Sequence, residues 1–213
     1  MYSANHLKHI ALAMHNYHVV HGCFPPATVR SADGQPLYSW RVLLLPYLDE
    51  EKLYREFHLD EPWDSPHNRK LLSHIPPVYD AAQVRAEPGD PPHSTFYQVF
   101  VGEETPFGND ECWAWTDLTD AALTCLVVEA GRPVLWSQPQ DLAYAAHEPL
   151  AELGGIYKGG TRFSRLAELA GFHVAFADGS VQWFPRLRTE QEEIAFRGLI
   201  TRTGKKAMPA FLE

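Results

Sequence analysis

From Asn5 to His21 the residues Leu7, Ile10, Ala11, Met14, Tyr17 and His18 recur every three or four positions, which is the spacing of one stripe along an α-helix. Gly22 and the Pro25-Pro26 pair then end it, because proline lacks the N–H and clashes with the preceding turn. An isolated helix of this length is marginal in water, so its stability has to come from packing the stripe. The chain must therefore supply a surface, and its later segments read as a sheet on which the helix lies.

Four segments carry the β-branched and aromatic residues of strands: Phe96 to Val101, Leu126 to Val128, His173 to Phe176, and Val181 to Phe184. The last two flank Asp178-Gly179, read as a two-residue hairpin turn in which both residues accept positive φ. Between the second and third strands, Gly131 to Gly171 reads as a long irregular stretch with turns at Gly154-Gly155 and Gly159-Gly160. Before the strands the chain reads as mostly helical up to Tyr79. Ser39 to Leu45 is interrupted by Pro46, Asp49 to Phe57 resumes, and a short helix to His74 is capped by Asp64 or Ser65 with Pro66 at its first position. Asp80 to His93 reads as a surface loop. Thr189 and Glu192 form a capping box that opens a helix through Ile200.

This order predicts an α+β fold in one domain spanning 1–213. Its parts are an N-terminal helix (1–22), a helical insertion (23–79), an antiparallel sheet (94–188, with the long loop at 131–171) and a C-terminal helix (189–201). Hydrophobic residues at 45% and charged residues at 21% are those of a globular chain rather than a disordered one. A formal charge of -9 repels phosphate backbones and anionic membrane surfaces, which argues against nucleic acid as a partner. No apolar run approaches the roughly 18 residues that a bilayer span needs, and no signal peptide is legible before Tyr2. Cys23, Cys112 and Cys125 allow at most one disulfide within a monomer, and no Cys-x-x-Cys pair suggests zinc or redox chemistry.

Asn5 to His18 and Gly22 to Ala27, followed in order by Ser39 to Leu48, Leu59 to Asn68, Tyr97 to Gly102, Leu126 to Ala130, Trp136 to Leu142 and Phe176 to Val181, resemble the domain-of-unknown-function 1559 family, pilin-like proteins abundant in planctomycetes. Trp40, Arg41, Trp63, Asp64, Asp178 and Gly179 are the motif residues within these blocks. The resemblance implies a pilin-like fold with the N-terminal helix across a sheet. It also implies a prepilin leader and transmembrane helix upstream, and an exported, membrane-held subunit of a filament or secretion-type assembly. Protein subunits would then be the partners, and the membrane would be reached only through that upstream helix. The chain departs from the family where Ser3 and Asp80-Ala81-Ala82 stand at positions that often carry cysteines. Thr119 to Cys125 and Glu168 also depart from family motifs.

Candidate chemistry is sparse. Asp60, Glu61, Asp64 and His67 cluster with oxygen ligands that could hold calcium, but they lack the alternation and glycine of a dedicated calcium loop. A helix-entry turn explains the same residues. His15, His18 and His21 are three apart on one helix, yet no His-Glu-x-x-His motif accompanies them. Cys125 precedes an apolar strand and reads as a small buried hydrophobe. Trp113 and Trp115 alternate onto one face of an extended segment, either as core or as an exposed aromatic pair that docks a partner. No nucleophile elbow, phosphate loop or dinucleotide fingerprint is present. The expected function is non-enzymatic, with no catalytic residues and no cofactor. The alternative is a ligand-binding module or hydrolase with 131–171 as its lid.

Overall fold

The computed structural model describes residues 2–80, 89–108, 113–154 and 171–203. Helix α1 (Tyr2–His21) buries Leu7, Ile10, Ala11, Ala13 and Met14, the predicted stripe with Ala13 added; Leu7, Ile10 and Met14 each contribute about 1.5–3 kcal/mol by burial, and the alanines less. Tyr17 and His18 extend the stripe as half-buried residues. After α1 come a small hairpin, β1 (Thr28–Arg30) and β2 (Pro36–Ser39), and then three short helices: α2 (Trp40–Leu43), α3 (Glu51–Glu56) and α4 (Asn68–Leu71). The expected helical insertion is therefore mostly turns. The helices of this stretch are six residues long or shorter, with prolines and serines between them, and Pro46 converts one continuation into a 3-10 turn.

The chain then enters β3 (Ser94–Gln98), β4 (Phe100–Val101), β5 (Cys125–Leu135), β6 (Leu142–Ala143), β7 (Gly171–Phe176) and β8 (Val181–Pro185), and closes on α5 (Glu190–Ile200). The main sheet has the order β3-β5-β7-β8, with every neighbouring pair antiparallel. Helix α1 packs across β5, β7 and β8. On the opposite face, Phe172, Val174, Phe176 and Phe184 pack with Phe196, Leu199 and Ile200 of α5. Alternation along β7 produces this division, since Ala175 belongs to the α1 core while its neighbours on either side face α5. The fold is α+β, with the N-terminal helix on an antiparallel sheet. Among the described residues, no helix is long and apolar enough to cross a membrane.

Three strand expectations change. The predicted Phe96–Val101 strand splits at Val99, whose N–H donates to Asp141 Oδ1 at 2.9 Å; Phe100 and Val101 then pair in parallel with β6. Strand β5 runs through Leu135, well beyond Val128. Residues 130–133 bulge out of the ladder between the Tyr97–Glu129 and Thr95–Val134 pairs, so Gly131 and Pro133 do not end it. The irregular stretch therefore begins later than Gly131, and residues 155–170 lie outside the described residues. At the β7–β8 turn only Gly179 has positive φ, at +86°. Its N–H bonds Phe176 O while Phe176 N–H bonds Ser180 O, which makes a type I turn closed by a left-handed glycine rather than the two-residue turn expected. The capping box forms as read: Thr189 Oγ1 accepts from Glu192 N–H and Glu192 Oε2 accepts from Thr189 N–H.

Candidate functional site

The buried polar residues concentrate around Tyr97, which joins two networks. Its carbonyl accepts from Arg41 Nε at 3.0 Å and Nη2 at 2.8 Å, and Arg41 Nη2 also reaches Asp141 Oδ1 at 2.7 Å. Ser39, the N-cap of α2, accepts from Arg41 Nη1 at 2.7 Å. Asp141 further accepts from Val99 N–H and the Trp40 indole. Burial pushes the Asp141 carboxyl up, against the pull of Arg41 and these N–H donors. Tyr79, fully buried, donates to Arg41 O at 3.0 Å, and burial pushes its phenol far up. Trp40 and Arg41, singled out in the sequence, thus work as a clamp that ties α2 to β3 and to the segment before β6.

The Tyr97 hydroxyl enters the second network. It lies 2.9 Å from Ser3 Oγ and 3.3 Å from His6 Nδ1. Ser3 Oγ donates to Glu129 Oε1, and Glu129 Oε2 accepts from His173 N–H at 2.6 Å and meets His173 Nδ1 at 3.1 Å. First-turn residues of α1 are thereby fixed to β3, β5 and β7. Burial, then His9, lowers the His6 pKa, while Asp80 opposes the shift. The order is serine, carboxylate, imidazole: the Ser3 hydroxyl donates to Glu129, and Glu129 in turn accepts from His173, so the network ties the start of α1 to the sheet.

A third group surrounds Phe24. Trp113 stacks on it at 4.1 Å, bridges to it by the Phe24 N–H to Trp113 O bond of 2.7 Å, and is 4% exposed. Trp115 meets the same ring edge-on at 5.0 Å and His15 at 5.1 Å. Trp113 is therefore core rather than an exposed anchor, and Trp115 is half-buried beside it. His15 and His18 turn onto these rings, with their Nε2 atoms buried, whereas His21 stacks on Tyr17 at 4.1 Å. Burial, then His18, lowers the His15 pKa, against Ala177 O and Asp178. Asp178 accepts from Ser180 N–H, an ordinary turn bond, and Cys125 is buried.

In the 58–68 loop Asn68 is fully buried. Its Nδ2 donates to the carbonyls of His58, Glu61 and Pro62, and its Oδ1 accepts from His58 N–H at 2.9 Å. The helix begins at Asn68, with Ser65 Oγ accepting from its N–H, two residues later than Pro66 suggested. Glu61 is held by His58 at 3.0 Å, His67 Nε2 faces Glu56 O at 2.8 Å, and the two imidazoles stack at 3.6 Å. Asp60 and Asp64 are exposed. The calcium candidates thus share a loop, but Glu61 and His67 are committed to other groups. Ser65 and then His58 lower the Glu61 pKa.

Sequence reasoning missed Glu129, Asp141, Asn68 and Tyr97. The legible signal was a charged or amide residue inside an apolar block, as in Leu126-Val127-Val128-Glu129-Ala130.

A family model described as "Protein of unknown function (DUF1559)" matches residues 1–140. No curated protein and no solved structure matches the chain. The match takes in α1, Arg41, Asn68 and Glu129 and stops one residue before Asp141, and the chain belongs to the DUF1559 family.

Proposed function

We propose that this protein is the folded body of a non-enzymatic, pilin-like envelope subunit that contributes to a filament or secretion-type assembly. The observation that carries the reading is the two-sided character of α1. One face is sealed against the sheet, while Leu12, Val19 and Val20 on the other are 58%, 82% and 66% exposed, an arrangement suited to a helix that also meets neighbouring protein subunits. Cys23 is disulfide-bonded, which suits the oxidising side of a membrane. The charge of -9 favours protein partners over nucleic acid. The membrane would be reached through an upstream helix, as the family resemblance implies.

The test is expression of the gene with its natural upstream coding sequence, followed by cell fractionation. The expected product is retained in the membrane and shortens when a prepilin peptidase is present. A cytoplasmic product indifferent to the peptidase would overturn the reading.

A further inference from the structure

A cleft of about 390 Å³ opens beside Trp63, walled by Leu72, Pro91, Pro92 and Leu135, with Asp64, Arg69 and His93 also lining it. Its volume falls in the range of small-molecule sites. The cleft is built from fixed parts. Trp63 N–H donates to Leu37 O at 2.6 Å, Arg69 N–H donates to Ser65 O at 2.9 Å, and the loop between them is pinned by the four Asn68 bonds. On the other wall His93 holds a left-handed backbone at φ +62° while its carbonyl accepts from Trp136 N–H at 3.2 Å. A non-glycine residue in that region is strained, and such strain persists only where surrounding contacts over-determine it.

The lining chooses the ligand. The walls are indole, leucine and proline, which offer apolar surface and no hydrogen bonds from the proline nitrogens. The remaining lining carries one carboxylate, Asp64, one guanidinium, Arg69, and the His93 imidazole; all three residues are exposed, and neither Asp64 nor Arg69 is in an ion pair among the described residues. A hexose can stack one C–H face on Trp63, but hydroxyls turned to the leucine and proline walls would lack partners. A ligand that carries both an ammonium and a carboxylate on an apolar body matches this lining: ammonium to Asp64, carboxylate to Arg69, side chain against Trp63 and the prolines. We propose that the Trp63 cleft binds a free α-amino acid with a large apolar side chain. This stands apart from the envelope reading, which needs no ligand.

The experiment is saturation-transfer NMR and calorimetric titration of the full chain with L-phenylalanine. The comparison probes are N-acetyl-L-phenylalanine, L-phenylalaninamide, glycine and N-acetylglucosamine. Saturation should pass to the phenyl protons of L-phenylalanine. Capping either charge should weaken binding about tenfold, the worth of one charge-assisted contact. Asp64→Asn should erase the difference between L-phenylalanine and its N-acetyl form, and Arg69→Gln the difference between L-phenylalanine and its amide. Trp63→Ala, with an unchanged far-ultraviolet dichroism spectrum, should abolish the transfer. Equal binding of capped and uncapped phenylalanine, tighter binding of N-acetylglucosamine, or no transfer from L-phenylalanine each overturns the proposal. The capped ligands test it on the unmodified protein, so misfolding of a variant cannot mask the result.

Discussion

Arg41 Nη2 lies 2.7 Å from Asp141 Oδ1, and both side chains are shut off from water. The pair joins the second helix to the segment before β6, a hundred residues further along the chain. Removing one partner of a buried pair strands the other charge and costs about 3–5 kcal/mol. Asp141→Ala should lower the unfolding free energy by that amount in urea titration. Arg41→Met combined with Asp141→Leu should recover part of it, because no charge is then left buried. A single variant of wild-type stability would show that the pair does not hold α2 in place.

Asn68 is the staple of a loop that carries no regular structure. Asn68→Ala leaves one N–H and three carbonyls without their partner, at about 1–3 kcal/mol for each group that water cannot reach. We expect a loss of about 3 kcal/mol or more, read as the shift of the denaturation midpoint. Asn68→Asp should be no better, since a carboxylate cannot donate to the three carbonyls.

His6 and His15 both titrate below the ordinary imidazole value of 6.5, chiefly because burial disfavours the charged ring. A depressed histidine pKa means that the unfolded chain binds the extra proton more tightly. Their contribution is fully present above about 6.5 and is lost as the pH falls through that value toward the lower folded pKa. Thermal midpoints should therefore fall as the pH drops below about 6.5. His15→Gln should flatten that dependence. An equal slope in the variant would remove His15 as a contributor.

Cys23 is disulfide-bonded and adjoins Phe24, the centre of the aromatic group. Reduction should cost about 2–4 kcal/mol. The measurement is the thermal midpoint with and without dithiothreitol. Cys23→Ser, already lacking the bond, should show no further response to the reductant.

The first helix was legible because a stripe at helical spacing can mean little else, and the Thr189–Glu192 box because its geometry is local. The Arg41 clamp was not. Ser39-Trp40-Arg41 reads as a helix start, and nothing in that triplet tells that Asp141, a hundred residues on, accepts from it. Strand β5 was cut short for a related reason. Glycine and proline after Glu129 signal an end locally, but residues 130–133 loop out, and pairing resumes at Val134 once β3 supplies a partner. Trp113 and Trp115 were ambiguous because alternation gives a shared face without saying what covers it; Phe24 does.

The docking of α1 rests on more than its apolar stripe. Ser3 in its first turn donates to Glu129, and Glu129 also receives two contacts from His173. Ser3→Ala removes the hydroxyl between Tyr97 and Glu129, and should cost about 1–3 kcal/mol. The loss should be local in character, because Met14 and Ile10 further along still seal the helix to the sheet. Native-state amide exchange should therefore quicken over the first two turns of α1 while protection at Met14 is retained. Uniform quickening along α1 would instead mean that the helix leaves the sheet as a single unit, with Ser3 and Glu129 setting the stability of the whole contact.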